Sequence, residues 1–274
     1  MSDWIKARRS NPCPVCGKPD WCGMTSDGNV VRCMRVESLK PSKGGWIHRM
    51  NEPVTVAPPK PKPKNREQIK DFAAFACECQ ERLLDPSIVA DEFGVSERAV
   101  ERLQVGLHRG ATTWPMRDSK ERVIGVRLRG KDGRKWCIEG SHNGVFWPEG
   151  VVCDSSDLWL PEGGSDCAAL LTLGFNAIGR PACRGGVESI VEILKCCRRT
   201  VIVVADNDEA KYRPDGSEFF PGQEGAKALA KAIRPFVYKV KVFVPSEHKD
   251  IRRWLQAGLT RDALKSITSN MEAF

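Results

Sequence analysis

The spacing of cysteines near the N-terminus constrains this chain more than any other feature. Cys13-Pro-Val-Cys16-Gly17 offers two thiols two residues apart on a turn relaxed by glycine, so both can face one metal ion. Sixteen residues separate Cys16 from Cys33. That is enough for a hairpin that returns to the metal, with Thr25-Ser26-Asp27-Gly28-Asn29 as its turn. A segment this small cannot bury enough apolar surface to fold alone, and a structural zinc ion would supply the missing stability. If the hairpin turns about Asp27-Gly28, Cys22 lies opposite Cys33 on the same face, which favours Cys22 as fourth ligand. His48, in Gly-Trp-Ile-His-Arg-Met, is the alternative, reaching the site from a third strand. A redox Cys-x-x-Cys sits at the start of a helix after a strand, and no such pattern precedes Cys13.

The chain has 274 residues and 12 cysteines, eight of them scattered beyond the first 33 positions. The first ten residues, MSDWIKARRS, contain no apolar core, so a secretory signal is not expected. No apolar run approaches the ~20 residues that span a bilayer. The expectation is a cytoplasmic protein of a bacterial host cell with no membrane partner, in which clustered cysteines bind metal rather than pair as disulfides. The formal charge is +8. Residues 1–64 hold 12 Lys and Arg against 5 Asp and Glu, a net of +7, which leaves +1 for the rest. A basic arm joined to a nearly neutral body points to an acidic polymer as partner, most simply nucleic acid.

Composition and periodicity divide the chain into 1–50, a Cys-, Gly- and Pro-rich segment, and 51–66, a Pro/Lys-rich linker that cannot pack a core. A basic mixed α+β segment over 67–156 and an alternating strand–helix segment over 157–274 follow. In the third, Ile69, Phe72, Ala73, Ala76 and Leu83 share a helix face, with Cys77 and Cys79 read as packing residues. Ser96 caps a second helix. The run VIGVRLRGKDGRKWCIEG alternates about a hairpin turn at Lys131-Asp132-Gly133. After Asp157, LWLPEG, NAIG, TVIVVADND and YKVKVFVP read as strands. The helices between and after them include one capped by Ser165 and ended by Gly174, and a last one capped by Thr260. Near-continuous apolar strands alternating with helices predict a mostly parallel, helix-covered sheet in an α/β fold.

Two of those strands end in acid. Glu162 closes LWLPEG and is followed by Gly163 and Gly164, which allow a phosphate to approach the backbone closely. Asp206 and Asp208 close TVIVVADND. Ligands of parallel sheets gather beyond the carboxyl ends of strands. Three carboxylates at such ends are costly without hard cations, and oxygen donors of this kind suit Mg²⁺ or Mn²⁺.

These residues carry a resemblance. LWLPEGGSD followed by VIVVADNDEA resembles the Toprim signature, a strand ending in Glu-Gly and a later strand ending in Asp-x-Asp. The stretch WPMRDSKERVIGVRLRGKDGRKW, with Gly144-Val145-Phe146 after it, is similar to the basic subdomain that precedes Toprim in bacterial- and phage-type DNA primases. The cysteine cluster resembles the primase zinc ribbon. The order of ribbon, basic subdomain and Toprim is the primase order and covers most of the chain. Two departures stand out. Val36 occupies the place where a phage-type ribbon has its last cysteine, and no Gly-x-x-x-x-Gly-Lys-[Ser/Thr] loop is present, so no helicase is fused within this sequence.

The resemblance implies a nucleotidyltransferase of DNA replication that makes short RNA primers on single-stranded DNA from ribonucleoside triphosphates. It would belong to a phage, mobile element or host chromosome and work with a separate replicative helicase. It implies that Glu162, Asp206 and Asp208 hold catalytic Mg²⁺ or Mn²⁺, with Glu162 also a general base. Asp166 and Asp250 would lie in support of them. Arg127, Arg129, Lys131, Arg134 and Lys135 would bind nucleic acid or triphosphate. In the ribbon, Trp21, Arg32, Arg35 and Trp46 would stack on bases or contact phosphates. Two other readings are a Toprim nuclease or recombination protein, and a non-catalytic zinc-dependent DNA-binding regulator.

Overall fold

The computed structural model describes residues 4–42, 44–50, 71–151, 156–195, 199–213 and 215–274. The linker at 51–66 and Ile69 lie outside the described residues. The chain divides into two compact units, Met1–Glu67 and Gln68–Phe274.

The first unit is an antiparallel sheet of β1 (Trp4–Lys6), β2 (Gly23–Thr25), β3 (Val30–Cys33), β4 (Pro41–Ser42) and β5 (Gly45–Arg49), in the order β1-β2-β3-β5-β4. The β2–β3 hairpin turns where Asp27 and Gly28 predict. Gly28 adopts φ 72°, and its N–H donates to the Thr25 carbonyl at 2.8 Å. The pairing of Gly23 with Arg32 and Met24 with Val31 places Cys22 level with Cys33. Its buried apolar residues are Ala7, Cys13, Cys22, Met24, Val31 and Cys33. Half of that core is thiol, so apolar burial alone contributes little here.

The second unit opens with α1 (Phe72–Glu81), α2 (Ser87–Phe93) and α3 (Glu97–Arg102). Asp71 caps α1 by accepting the Ala73 and Ala74 N–H groups, and Ser96 caps α3 by accepting that of Ala99. The buried stripe of α1 is Phe75, Ala76 and Cys79, continued by Leu83. Ala73 and Cys77 are exposed, which corrects the expected face. At 100° per residue the stripe through Phe75 and Cys79 turns Ala73 and Cys77 outward. Helix α2 was not foreseen; its seven residues are too few to show a period.

Helix α1 covers an antiparallel sheet of β6 (Gly106–His108), β7 (Ala111–Arg117), β8 (Val123–Arg129) and β9 (Lys135–Cys137), in sequence order. Phe75, Ala76 and Cys79 pack there on Ala111, Val126 and Leu128. The chain then makes a parallel sheet from β10 (Leu158–Leu160), β11 (Asn176–Ala177), β12 (Thr200–Val204) and β15 (Lys239–Phe243), in the order β11-β10-β12-β15. Between its strands lie α4 (Gly164–Thr172), α5 (Val187–Leu194), a short hairpin of β13 (Lys211–Tyr212) and β14 (Glu218–Phe219), and α6 (Pro221–Ile233). Helices α7 (Ile251–Gln256) and α8 (Arg261–Ser269) close the chain.

The apolar strands feed two cores by simple alternation. Leu158, Leu160, Val201, Val203 and Val240 face a layer containing residues of α5 and α6. Trp159, Ile202, Val204 and Phe243 face one built from α2, α3, α4 and the C-terminal helices. Burial on both faces is why these strands read as continuous apolar runs. Helix α4 starts at Gly164 with Gly163 as its cap, not Ser165, which sits inside the first turn. Gly174, at φ 77°, ends it as expected. The segment Gly144-Val145-Phe146 stitches the two sheets: Val145 bridges Arg117 of β7, and Phe146 bridges Gly179 beyond β11. A Cβ on Gly144 would sit 2.4 Å from the Arg117 carbonyl oxygen, so only glycine fits. Among the described residues no helix is long and apolar enough to cross a membrane.

Candidate metal centre and carboxylate cluster

In the first unit, Cys13, Cys16, Cys22 and Cys33 bring their sulfurs within 4.8 Å of one another. The Cys16–Cys22 and Cys22–Cys33 sulfurs are 3.7 and 4.0 Å apart. Four thiolates at ~2.3 Å from one tetrahedral ion stand about 3.8 Å apart, so the donor set and its spacing fit zinc. Backbone N–H groups of Met34, Arg35 and Val36 donate to Cys22 or Cys33 sulfur at 3.3–3.5 Å. Val36 thus serves the site through its amide. His48 is not in the group: its Nε2 lies 3.0 Å from the Val36 carbonyl oxygen, and the ring is buried. Burial pushes the Cys13 thiol up to about 12. At Cys16 burial also works upward, but hydrogen bonds from the Lys18 amide and the other three thiols outweigh it and bring the group to about 7.

Arg35 is held beside this cluster. Its guanidinium donates to Asp20 Oδ1 at 2.8 Å and to the Asp20 carbonyl at 3.0 Å, and reaches Cys22 sulfur at 3.8 Å. It also lies 5.9 Å from the Trp21 ring centre. Trp21 is 79% exposed and holds φ 65°, a conformation that costs a non-glycine residue about 1 kcal/mol or more. Arg32 stacks over Trp4 at 5.5 Å. Trp46 is paired with Cys33 across β3 and β5 and is partly covered.

In the second unit, Glu162 follows the end of β10, and Asp206 and Asp208 follow the end of β12, side by side because β10 and β12 pair in parallel. The sheet brings two more carboxylates to them. Asp166, in the first turn of α4, is 6% exposed and accepts the Arg252 amide at 3.0 Å. Asp250 caps α7 by accepting the Arg253 amide at 2.7 Å. Burial first, and then the charges of Asp166, Glu162, Asp208 and Asp250, drive Asp206 up to about 8. Burial and then Asp250 raise Asp166 to about 7, against the Arg252 amide and the Arg252 and Lys135 charges. The Oε2 atom of Glu162 is buried without a hydrogen-bond partner. Asp208 has Lys249 Nζ at 3.8 Å. Among the described residues only the cysteines draw three or more ligand atoms within 4.8 Å of one another, so the carboxylates converge more loosely.

The residue that sequence reading missed is Arg180, which is 0% exposed. Its side chain donates to three backbone carbonyls: Leu160 at 3.2 Å, Val204 at 2.6 Å and Cys183 at 3.0 Å. Leu160 and Val204 are the last residues of the two strands that lead to the acids. The Arg180 backbone also brackets Glu162, accepting from Gly163 N–H and donating to the Pro161 carbonyl, both at 2.8 Å. Burial disfavours its charge, while Glu162 and Asp206 favour it. In the sequence it is one arginine before a proline, with no periodicity to mark it. Gly163 and Gly164 also have a structural use. A Cβ on Gly164 would meet Trp114 at 2.5 Å, so this glycine brings α4 onto β7 rather than lying open to a phosphate. A Cβ on Gly222, in the first turn of α6, would lie 3.1 Å from Asp208 Oδ2, so glycine leaves room for that carboxylate.

The basic hairpin lies on the same unit. Arg127 pairs with Cys137 and Arg129 with Lys135, so Arg127, Arg129 and Lys135 share a face. Arg127 donates to the Pro181 carbonyl. Arg129 is packed over Phe93 at 4.9 Å; burial and Arg252 lower its pKa, while Glu92, Asp166 and Asp250 act against them. Lys131 and Arg134 are exposed at the turn, with Arg134 5.7 Å from the Trp136 ring centre.

No family model matches the sequence, and no curated protein does. Solved structures do. The DnaG primase catalytic domain bound to single-stranded DNA aligns with a TM-score of 0.57 at 14% identity, covering 73% of this chain and 77% of that one. The E. coli primase catalytic core aligns at 0.56 and 14% identity over 73% and 79% of the two chains. A DNA primase domain from Pseudomonas aeruginosa aligns at 0.55 and 15% identity over 72% and 77%. At such identities the likeness is one of fold. The chain carries the fold of the DnaG primase catalytic core, with a four-cysteine, zinc-compatible unit ahead of it in sequence.

Proposed function

We propose that the protein is a DNA primase, a nucleotidyltransferase that joins ribonucleotides on a single-stranded DNA template. The observation that carries this reading is the gathering of Glu162, Asp206 and Asp208, with Asp166 and Asp250 behind them, at the carboxyl ends of parallel strands of a primase-like fold. An unpartnered buried oxygen on Glu162, and an Asp206 driven up by burial and then by four neighbouring acids, mark a site whose negative charge outweighs the cations beside it. Such a donor set fits Mg²⁺ or Mn²⁺. Glu162, Asp206 and Asp208 would hold the metal, which when bound would offset charge on the triphosphate.

The chain's own residues then divide the work. Arg129 and Lys135, on the hairpin face whose charges reach Asp166, would orient phosphates of template or nucleotide. Arg127, Lys131 and Arg134 would extend that surface. Asp166 and Asp250 would position the ends of α4 and α7 around the acids, and Glu162 would accept the proton of the attacking 3′-hydroxyl. In the four-cysteine unit, exposed Trp21 would stack on a template base, with Arg32 and Arg35 beside it. This assignment makes residues 157–274 a Toprim-type segment. A separate helicase would supply the unwound template.

The test is incorporation of labelled ribonucleotides on a library of single-stranded templates with Mg²⁺ or Mn²⁺. Short RNA products that vanish in Asp208→Ala and Glu162→Gln are expected. Shortening of the template instead would assign a nuclease, and binding without synthesis would assign a regulator.

A further inference from the structure

The end of the parallel sheet opposite the carboxylates carries the reverse charge. A cavity of about 1030 Å³ opens there, where β10, β12 and β15 begin, lined in part by Thr200 and Lys239. Among the described residues six cationic side chains line it: Arg98, Arg102, Lys239, Lys241, Arg261 and Lys265. Asp157 is the one carboxylate among its described lining residues. Among the described residues none of the six cations is in an ion pair.

The six come from α3, β15 and the N-terminal and central parts of α8, so the fold, not a local run of sequence, assembles them. Lys241 is only 8% exposed, and its Nζ donates to the Thr268 carbonyl at 2.5 Å and the Ser269 carbonyl at 3.3 Å. Both partners of this buried side chain are carbonyl oxygens, and no carboxylate among the described residues is paired with it. Arg261 is held over Phe175 at 5.4 Å, in room that Gly174 leaves: a Cβ there would lie 2.7 Å from Arg261 Nη1. Like charges around low-dielectric walls focus a positive potential that a multivalent anion would offset.

We propose that this cavity binds a compact polyphosphate of nucleotide size without a divalent metal. The volume lies at the upper end of the ~300–1,000 Å³ typical of small-molecule sites. A single strand of nucleic acid tracks an open groove with successive exposed aromatics. Here Trp159 is buried and Phe175 half-covered, and Tyr238, 81% exposed, is the one lining aromatic free to stack on a base. The charge is therefore arranged for a cluster of phosphates with at most one base beside them. The proposal goes beyond the primase reading and does not depend on it.

The test is isothermal titration of the full, zinc-loaded chain with sodium tripolyphosphate and with ATP, with no Mg²⁺ or Mn²⁺ added. Without such metal the carboxylate end repels both probes, so binding there does not interfere. Micromolar binding is expected. Lys239→Ala/Lys265→Ala, at a half-buried and an exposed position, should weaken it about tenfold or more. Arg98→Glu should do the same, whereas Lys227→Ala/Lys231→Ala, exposed on α6 and outside the cavity, should change it by less than about twofold. Tyr238→Ala weakening ATP but not tripolyphosphate identifies a nucleotide; equal affinities for the two probes identify an inorganic polyphosphate. The idea is overturned if the wild-type chain binds neither probe, if the pocket variants bind as wild type, or if the α6 variant abolishes binding. It is also overturned if the pocket variants lose only a short oligo(dT) strand, which would make the cavity a nucleic-acid track.

Discussion

The two ligand clusters of this protein gather negative charge in opposite ways. In the N-terminal unit four thiols meet within 4.8 Å, and three of them, Cys13, Cys22 and Cys33, are half of the buried core. Little else holds that unit together, so the ligands and the fold are the same residues. In the second unit the acids are mounted on a sheet that is already complete, with cores on both faces. There the fold comes first and brings the charges together in a buried place, where burial and then the neighbouring acids raise Asp206 and Asp166. A metal would be a structural requirement in the first region and a functional one in the second. Arg180 takes the structural part in the second, tying the ends of β10 and β12 through backbone carbonyls while its charge faces Glu162 and Asp206.

The comparison breaks most visibly under chelation. Binding of a structural zinc contributes roughly 10–16 kcal/mol in zinc-finger peptides. Removing the metal, or Cys33→Ser, should therefore unfold the first unit and leave the second intact. Metal analysis should give about one zinc per chain, lost in Cys13→Ser and Cys33→Ser but kept in Cys77→Ser, whose thiol is exposed on α1. Amide exchange should show loss of protection in β2, β3 and β5 alone. Loss of protection in β10 and β12 as well would mean that the two regions do not differ as described.

Arg180→Ala is the matching blow to the second unit. It frees three carbonyls and leaves Glu162 and Asp206 without their buried counter-charge, a loss of about 3 kcal/mol or more. Urea denaturation should show it, with zinc content unchanged. Arg180→Lys should recover only part, because one ammonium cannot reach three carbonyls in a fixed fan.

Asp206→Asn should act in the other direction. A carboxylate raised to about 8 binds its proton more tightly in the folded chain than in the unfolded one. Its folded form is therefore favoured at low pH and loses stability as pH rises from the ordinary carboxylate range toward 8. Without added Mg²⁺ or Mn²⁺, Asn at this position should stabilise the protein at pH 8 by about 1 kcal/mol or more, with the gain fading toward pH 4. Thermal melts across that range check it. Primer synthesis should be lost in the same variant.

The smallest effect belongs to the hairpin. Arg129→Ala should weaken single-stranded DNA binding by about 1 kcal/mol at low salt and reduce the salt slope by about one, with the difference shrinking as salt rises. Filter binding at several salt concentrations measures both.

Local pattern was enough for most of the elements and for three of the four clustered cysteines, with Cys22 favoured over His48 as the fourth. The Asp27-Gly28 turn sets the register that aligns Cys22 with Cys33, and two-residue alternation with apolar residues on both sides marks β10, β12 and β15 as buried parallel strands. The placement of Glu162, Asp206 and Asp208 just beyond the ends of β10 and β12 was legible because strand ends are local features. Tertiary structure alone decided the rest. Arg180 meets Leu160 and Val204 only because β10 lies between β11 and β12, an order that no spacing along the chain encodes. Asp166 and Asp250, named by the resemblance, reach Asp206 from α4 and from the cap of α7 only through packing, and the six cations of the opposite cavity come from three elements far apart in sequence. Hydrogen bonds and alternation act over a few residues and can be read in order. Burial and the summed field of distant charges depend on which elements become neighbours, and that is settled only when the sheets and helices have packed.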